Sequence, residues 1–231
     1  KHLRSAWRGS FRLPFLKPGP ALLPGKYGRL REEIALPWST AYMLRFSGFS
    51  PAQRRYLQPG ANLPDAYWAP SALVGESALA SLLAIDMANY LPEYILRKGD
   101  LTTMGHGLEL RAPLLDHRFV RSLTALPPSR RFARPAKSLF AEVLPADLAQ
   151  DLFGAKKRGF NPPLTTWLQE DLLERYEGLG NRLQTVTDGG ISGAAVDELC
   201  ATYRQGANAL AENVLQLLVL DESLHQLGNL A

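Results

Sequence analysis

The spacing of apolar residues constrains the fold of this chain more than any other feature of its sequence. Leu79, Leu82, Leu83 and Met87 recur at the intervals expected for one face of a helix. No segment alternates apolar and polar residues as a half-buried strand does, and no run is rich in Val and Ile. The sequence therefore predicts a mainly α-helical chain.

Capping residues and prolines give provisional boundaries to the helices. Ser50 before Pro51 is a helix start, Asp116 can cap a helix that ends at Pro127-Pro128, and Ser192 follows a Gly-rich turn. Further helices are predicted at residues 27–34, 37–46, 69–90, 137–144, 163–177, 192–205 and 210–227. The Pro- and Gly-rich residues 1–68 are expected to form an irregular arm with short helices, and residues 69–231 one helical subdomain.

Composition narrows the class of protein. The 231 residues contain no apolar run near the ~20 residues that a membrane span needs, so no membrane association is predicted. The single cysteine, Cys200, excludes an intramolecular disulfide and favours a reducing, cytoplasmic location. The net charge of +4 is only mildly basic, and most basic clusters are expected to be solvated helix faces rather than a nucleic-acid surface.

The segment from Asn89 to His117 departs from this ordinary background. It contains Tyr-Leu-Pro at residues 90–92, a charged Lys98-Gly99-Asp100 sequence predicted as a turn, and the string Glu109 to Asp116 with an Arg and an Asp on either side of a Pro. A packing helix does not need that combination. The segment resembles the asparagine-synthetase family, whose synthetase domains carry Tyr-Leu-Pro, Lys-x-Asp and Leu-Glu-x-Arg-x-Pro-x-Leu-Asp at this spacing.

The resemblance implies a particular piece of a larger fold. The chain looks like the helical C-terminal half of an adenine-nucleotide-α-hydrolase-like (PP-loop ATPase) α/β synthetase domain, whose parallel sheet is not in this chain. The family's Ser-Gly-Gly-x-Asp-Ser loop, which holds pyrophosphate, and its Gly-Gly-Asp-Glu segment, which holds Mg²⁺, do not occur in these residues. ATP and Mg²⁺ are thus implied as cofactors with their main binding motifs elsewhere. We expect the chain to be a fragment that is inactive alone.

The reaction implied by the resemblance is an ATP-dependent amidation. A carboxylate, aspartate first among the candidates, would be activated as an acyl-adenylate and attacked by ammonia from an upstream glutaminase domain. Two alternatives stay open: a relative that uses an internal amine, such as a β-lactam synthetase or peptide cyclase, and a non-catalytic basic helical interaction module. A homodimer is compatible with either.

Lys137 is the candidate catalytic residue. It follows a Pro-containing loop and precedes a predicted helix, where the family has a lysine that reaches the adenylation site. An ammonium fixed near the α-phosphate stabilises the charge that develops when a carboxylate attacks. The alternative is a lysine that extends from a helix end into solvent.

Four other residues are candidates for binding ATP or substrate. Arg111 and Asp116 match the family's Arg-x-Pro-x-Leu-Asp, although a buried Arg–Asp pair or a helix cap would also explain them. Lys98 matches Lys-x-Asp, and Lys157 matches the lysine of Lys-x-Gly-Phe-x-x-Pro.

Three departures from the family pattern, all at positions where an arginine is common, are Leu101, Ala141 and Ala155. They leave the activity of this chain open. His106 and His117 lack partners at ligand spacing, so no metal site is predicted.

Overall fold

A computed structural model describes residues 28–62, 77–132, 138–154 and 162–228. Within these ranges every regular element is a helix and none is a strand, which confirms the mainly α prediction. The α-helices in chain order are α1 (Gly28–Ala35), α2 (Trp38–Met43), α3 (Pro51–Leu57), α4 (Ala78–Ile85), α5 (Arg97–Met104), α6 (His117–Thr124), α7 (Pro128–Arg131), α8 (Ser138–Val143), α9 (Ala146–Gly154), α10 (Leu164–Gln169), α11 (Leu179–Val186), α12 (Gly193–Arg204) and α13 (Ala211–Gly228). A π-helical segment, Asp86–Leu96, joins α4 to α5, and 3-10 turns occupy Leu44–Phe46, Pro113–Leu115, Glu174–Tyr176 and Asn208–Leu210.

The described residues form two compact units. We call residues 28–62 with 162–228 the bundle unit, and residues 77–132 with 138–154 the motif unit. The predicted division into residues 1–68 and 69–231 has its boundary outside the described residues and stays a prediction. Among the described helices, none combines the length and apolarity needed to cross a bilayer.

The bundle unit is built around a closed apolar core. Leu168, Leu179, Leu183, Val196 and Leu199 have no exposed surface, and α11, α12 and α13 supply most of the surrounding side chains. Burying a Leu or Val side chain contributes about 1.5–3 kcal/mol relative to leaving it in water. This core therefore gives the bundle unit its own source of stability.

Two glycines allow α11 and α12 to approach closely. A Cβ added to Gly180 would lie 2.3 Å from the Gly193 carbonyl oxygen, and one added to Gly193 would lie 2.8 Å from the Gly180 carbonyl oxygen. The Gly180 N–H donates to the Asp197 carboxylate at 3.2 Å. The close crossing thus depends on the absence of side chains at both positions.

The predicted caps of the bundle unit are confirmed. The Ser50 hydroxyl accepts from the Gln53 N–H, and the Gln53 side chain accepts from the Ser50 N–H, which forms a capping box at α3. The Ser192 hydroxyl accepts from the Ala195 N–H at the start of α12.

The prediction of a single helix at residues 163–177 is wrong, because α10 ends at Gln169. The chain then turns, and the Tyr176 hydroxyl donates to the Leu168 carbonyl at 3.0 Å.

The motif unit differs because few of its apolar side chains are buried. Among the described residues of this unit, Ile85 is a buried apolar side chain, with 1% of its surface exposed. Apolar side chains that are more than one-third exposed are Met87, Tyr94, Ile95, Leu101, Met104, Leu108, Leu110, Leu114, Phe119, Leu126, Phe132, Phe140, Val143, Leu148 and Phe153. Met87, predicted to lie on the apolar stripe of a helix, is one of these exposed residues.

Two predictions about helix boundaries in the motif unit need correction. Lys98-Gly99-Asp100 is not a turn, because these residues lie within α5. The π-helical segment leads directly into α5, so helical geometry continues through Gly99. Pro127-Pro128 follows the end of α6 at Thr124, but Pro128 also begins α7, where a proline at the first helical position is well tolerated.

Candidate functional site

Lys98 projects from the first turn of α5 beside two stacked tyrosines. The rings of Tyr90 and Tyr94 are 5.2 Å apart at an interplanar angle of 17°. The Lys98 Nζ lies 4.2 Å from the centroid of the Tyr94 ring. The three residues are spaced four apart, so successive helical turns bring them to one face. Tyr94 is not among the residues that the sequence predicted for the site, although its four-residue spacing from Tyr90 and Lys98 is a signal that could have identified it.

Gly99 brings the two parts of the matched motif into contact. A Cβ at this position would lie 2.7 Å from Leu110 Cδ2, so the side chain of Leu110 occupies the space that a residue other than glycine would fill. Leu110 belongs to the non-helical stretch between α5 and the 3-10 turn Pro113–Leu115. The Lys-Gly-Asp sequence and the Glu-Leu-Arg sequence are therefore packed against each other locally.

Arg111 pairs with Glu109 rather than with Asp116. Its Nη2 is 3.0 Å from Glu109 Oε2, and the two side chains are 81% and 69% exposed. The alternative of a buried Arg111–Asp116 pair is therefore wrong. An ion pair this exposed contributes about 0–1 kcal/mol, so the pair does little to hold the fold. The guanidinium and the Glu109 carboxylate are both open to a ligand.

Asp116 caps α6, as its position predicts. Its Oδ1 accepts from the Arg118 N–H at 2.9 Å and the Phe119 N–H at 3.4 Å, and also contacts Arg118 Nε at 3.2 Å. The Arg118 side chain and then its backbone N–H lower the pKa of Asp116 below its ordinary value. The carboxylate is thus held ionised by local partners, and its proposed role toward substrate stays a prediction.

Lys137 and Lys157 lie outside the described residues, and their proposed roles stay predictions. Lys137 directly precedes α8, which begins at Ser138, and Lys157 follows α9. Of the departures, Leu101 is 64% exposed on α5 and Ala141 is half-buried on α8. Ala155 also lies outside the described residues.

No arrangement for a metal ion is present in the part of the chain that the structure describes. Groups of three or more His, Cys, Asp and Glu side chains that could bind a metal do not occur there. His106 and His117 are both exposed.

Comparison with known proteins gives the family. The model of the asparagine synthase family matches residues 3–225, nearly the whole chain and both units. The chain belongs to the asparagine synthase family, as the resemblance of the Asn89–His117 segment predicted.

Individual relatives are similar over shorter stretches. A Mycobacterium tuberculosis protein, provisionally named a glutamine-hydrolysing asparagine synthetase, is 30% identical over 167 residues, which are 68% of this chain and 25% of that protein. A Mycobacterium bovis protein with the same provisional name gives the same values. The glutamine-hydrolysing asparagine synthetase of Rattus norvegicus is 36% identical over 73 residues, 30% of this chain and 13% of that protein. The match thus spans about a quarter or less of these relatives' length, and no solved structure gives a significant match.

Proposed function

We propose that this chain forms the helical part of an ATP-dependent amidotransferase resembling asparagine synthetase. In this proposal the whole enzyme activates a carboxylate, aspartate first among the candidates, as an acyl-adenylate with release of pyrophosphate. Ammonia from glutamine then displaces AMP. The observation that carries the proposal is the family match over residues 3–225, which includes every candidate site residue.

The candidate residues have distinct roles in this reaction. Lys137 would stabilise the negative charge that develops at the α-phosphate when the carboxylate attacks. Lys98, Arg111 and Lys157 would bind phosphate or carboxylate groups, and Asp116 would hold the start of α6 beside them. The exposure of Arg111 and its shared motif with Glu109 support a role in binding, because neither group is consumed by the packing of the described residues.

The proposal assigns ATP and Mg²⁺ mainly to parts of the enzyme that these 231 residues do not contain. A pyrophosphate loop of backbone amides and a carboxylate pair for Mg²⁺ are absent from the sequence. The many exposed apolar side chains of the motif unit support a covering layer supplied by another segment. We therefore expect the isolated chain to bind ATP weakly and to lack turnover, and a micromolar affinity by calorimetry would contradict this.

The decisive experiment is carboxylate-dependent ATP–pyrophosphate exchange by the full-length protein that carries this chain. Lys137→Ala should lower the exchange rate by about 10²–10³-fold, the usual effect of removing one stabiliser of transition-state charge. Lys26→Ala, a lysine outside the matched motifs, is the control and should leave the rate unchanged. Unchanged exchange in Lys137→Ala would exclude the proposed role, and exchange that never occurs with any carboxylate would favour an interaction module.

A further inference from the structure

Tyr90, Tyr94 and Lys98 form a row of contacts, here called the Tyr–Tyr–Lys ladder, in which two rings stack and an ammonium lies over the second. The matched motif does not by itself explain these contacts. Tyr94 is 47% exposed, yet one side of its ring stacks on Tyr90 and the Lys98 ammonium lies over the ring at 4.2 Å. An ammonium within about 6 Å of an aromatic centroid is attracted by the ring's negative face. The long Lys98 side chain is therefore directed by the tyrosine rather than free to sample its many rotamers.

The backbone beneath the ladder is unusual. Tyr90 and Tyr94 lie in the π-helical segment Asp86–Leu96, which has Pro92 in its interior and in which the Arg97 N–H donates to the Pro92 carbonyl five residues before it. Proline cannot donate a hydrogen bond, so an ordinary α-helix would be interrupted here. Isolated π-helical turns are rare and occur frequently at functional sites. The two nearly parallel rings lie on this segment, and Lys98 follows it in the first turn of α5.

The charge of Lys98 is oriented but not neutralised. Within the described residues Lys98 forms no ion pair, whereas its neighbour Arg97 pairs with Glu93 at 3.1 Å. A contact with an aromatic face leaves the full positive charge available to an anion. A fixed ammonium without a carboxylate partner suits a phosphate or pyrophosphate group.

We propose that Tyr94, supported by Tyr90, is a positioning residue that holds the Lys98 ammonium for the phosphate chain of the nucleotide. This inference rests on the proposed function, because it takes the phosphate chain from the ATP-dependent reaction. It goes beyond the matched motif by assigning a role to an aromatic residue outside Tyr-Leu-Pro and Lys-x-Asp. Tyr94 acts on the ligand only through Lys98.

The kinetic test uses the full-length protein and the pyrophosphate-exchange assay. Tyr94→Leu should raise the KM for ATP by about two- to fivefold with little change in kcat, because an exposed cation–π contact has about that effect on affinity. Tyr94→Phe retains the ring and should behave like the unmodified protein, and Tyr94→Leu should add nothing in a Lys98→Gln background. A normal KM in Tyr94→Leu, or an equal defect in Tyr94→Phe, would overturn the inference.

A second readout does not depend on turnover. Lysines labelled by ¹³C-dimethylation give one NMR signal for Lys98, which is assigned by its loss in Lys98→Arg. The Tyr94 ring should shift this signal upfield. The shift should be lost in Tyr94→Leu and retained in Tyr94→Phe. Titration with inorganic pyrophosphate should move the same signal, with a weaker response in Tyr94→Leu. An unshifted signal, or one that ignores pyrophosphate, contradicts the inference even where exchange depends on Lys137. A shifted and responsive signal supports it even where no exchange occurs and the proposed amidation fails.

Discussion

The bundle unit and the motif unit contain similar apolar residues but differ in how far these side chains are buried. In the bundle unit Leu179, Leu183 and Leu199 are fully buried among neighbouring helices. In the motif unit Leu101 is 64% exposed, Leu108 62% and Val143 77%. Loss of water contact is the main source of folding free energy. Among the described residues, the closed apolar core therefore lies in the bundle unit.

This difference separates stability from function along the chain. The sequences that match the family motifs most closely lie in the motif unit, between Tyr90 and Asp116. Large exposed apolar surfaces mark places where another protein segment binds. The proposed function gives such a segment a role, because the nucleotide-binding sheet of a synthetase would cover these residues and complete the site. The unit that carries the motifs is then the one that depends on the rest of the enzyme for its burial.

The largest predicted effect compares one leucine from each unit. Leu199→Ala, at a fully buried position, should lower the free energy of unfolding of the bundle unit by about 2–5 kcal/mol. Leu101→Ala, at a 64% exposed position, should change stability by no more than about 0.5 kcal/mol. Urea unfolding followed by tryptophan fluorescence measures the bundle unit selectively when Trp7 and Trp68 are replaced by Phe, since the remaining Trp38 and Trp167 lie in that unit and residues 77–154 contain no tryptophan.

Circular dichroism in the same titrations extends this comparison to both units. Helix in the motif unit should be lost at lower urea than the tryptophan signal of the bundle unit, because it has less buried surface. Coincident transitions in the 231-residue chain would show that the two units unfold together. A loss of several kcal/mol in Leu101→Ala would show that the apolar surface of the motif unit is already buried.

A smaller effect is expected from two glycines, of which Gly180 in the bundle unit is tightly packed and Gly154 in the motif unit is not. Gly180→Ala places a methyl group 2.3 Å from the Gly193 carbonyl oxygen, so α11 and α12 must separate, at a cost of about 1–3 kcal/mol. Gly154→Ala, at the end of α9 in the motif unit, meets no atom within 4 Å and should be neutral or slightly stabilising. The midpoint of thermal unfolding, measured for both variants, decides between these outcomes. Equal midpoints would mean that the crossing of α11 and α12 adjusts without cost.

The sequence predicted local features better than it predicted how they are packed. The caps at Ser50, Asp116 and Ser192 were predictable because each involves residues two or three positions apart. The break after Gln169 was not, because it depends on Tyr176 turning into a core contributed by distant helices. The exposure of Met87 and Leu101 was also hidden, since a helical period shows which residues share a face but not whether that face is covered.

The candidate site shows the same limit. Arg111 and Asp116 were identified from the motif, but the pairing of Arg111 with Glu109 rather than Asp116 is seen only in the structure. The contact of Lys98 with Tyr94 was not predicted, because the predicted helix ended at Tyr90 and Lys98 was assigned to a turn, whereas the π-helical segment continues through Leu96 into α5. The four-residue spacing of Tyr90, Tyr94 and Lys98 places them on one face only once this continuous helix is known.

The last predicted effect is a difference in pH dependence between the units. Burial, and next the charge of Asp197, raise the pKa of Cys200 in the bundle unit from 9.0 to about 11. Above pH 9 the unfolded chain releases the thiol proton while the folded chain keeps it, so Cys200 removes stability as the pH rises from 9 to 11. In the motif unit the lowered pKa of Asp116 has the opposite consequence, because its contribution is present above the ordinary pKa of 3.8 and is lost as the pH falls below it.

Substitution of the thiol tests this directly. Urea midpoints measured by tryptophan fluorescence from pH 8 to pH 10.5 should fall less steeply for Cys200→Ala than for the unmodified chain, while Leu101→Ala should keep the original slope. The comparison of slopes removes the common contributions of Tyr56 and Tyr203, whose pKa values are also raised, the first by its hydrogen bond to Glu198 and the second by burial. Identical slopes with and without the thiol would mean that Cys200 reaches solvent in the folded bundle. The closed core would then be looser than its packing indicates, and the contrast between the two units correspondingly smaller.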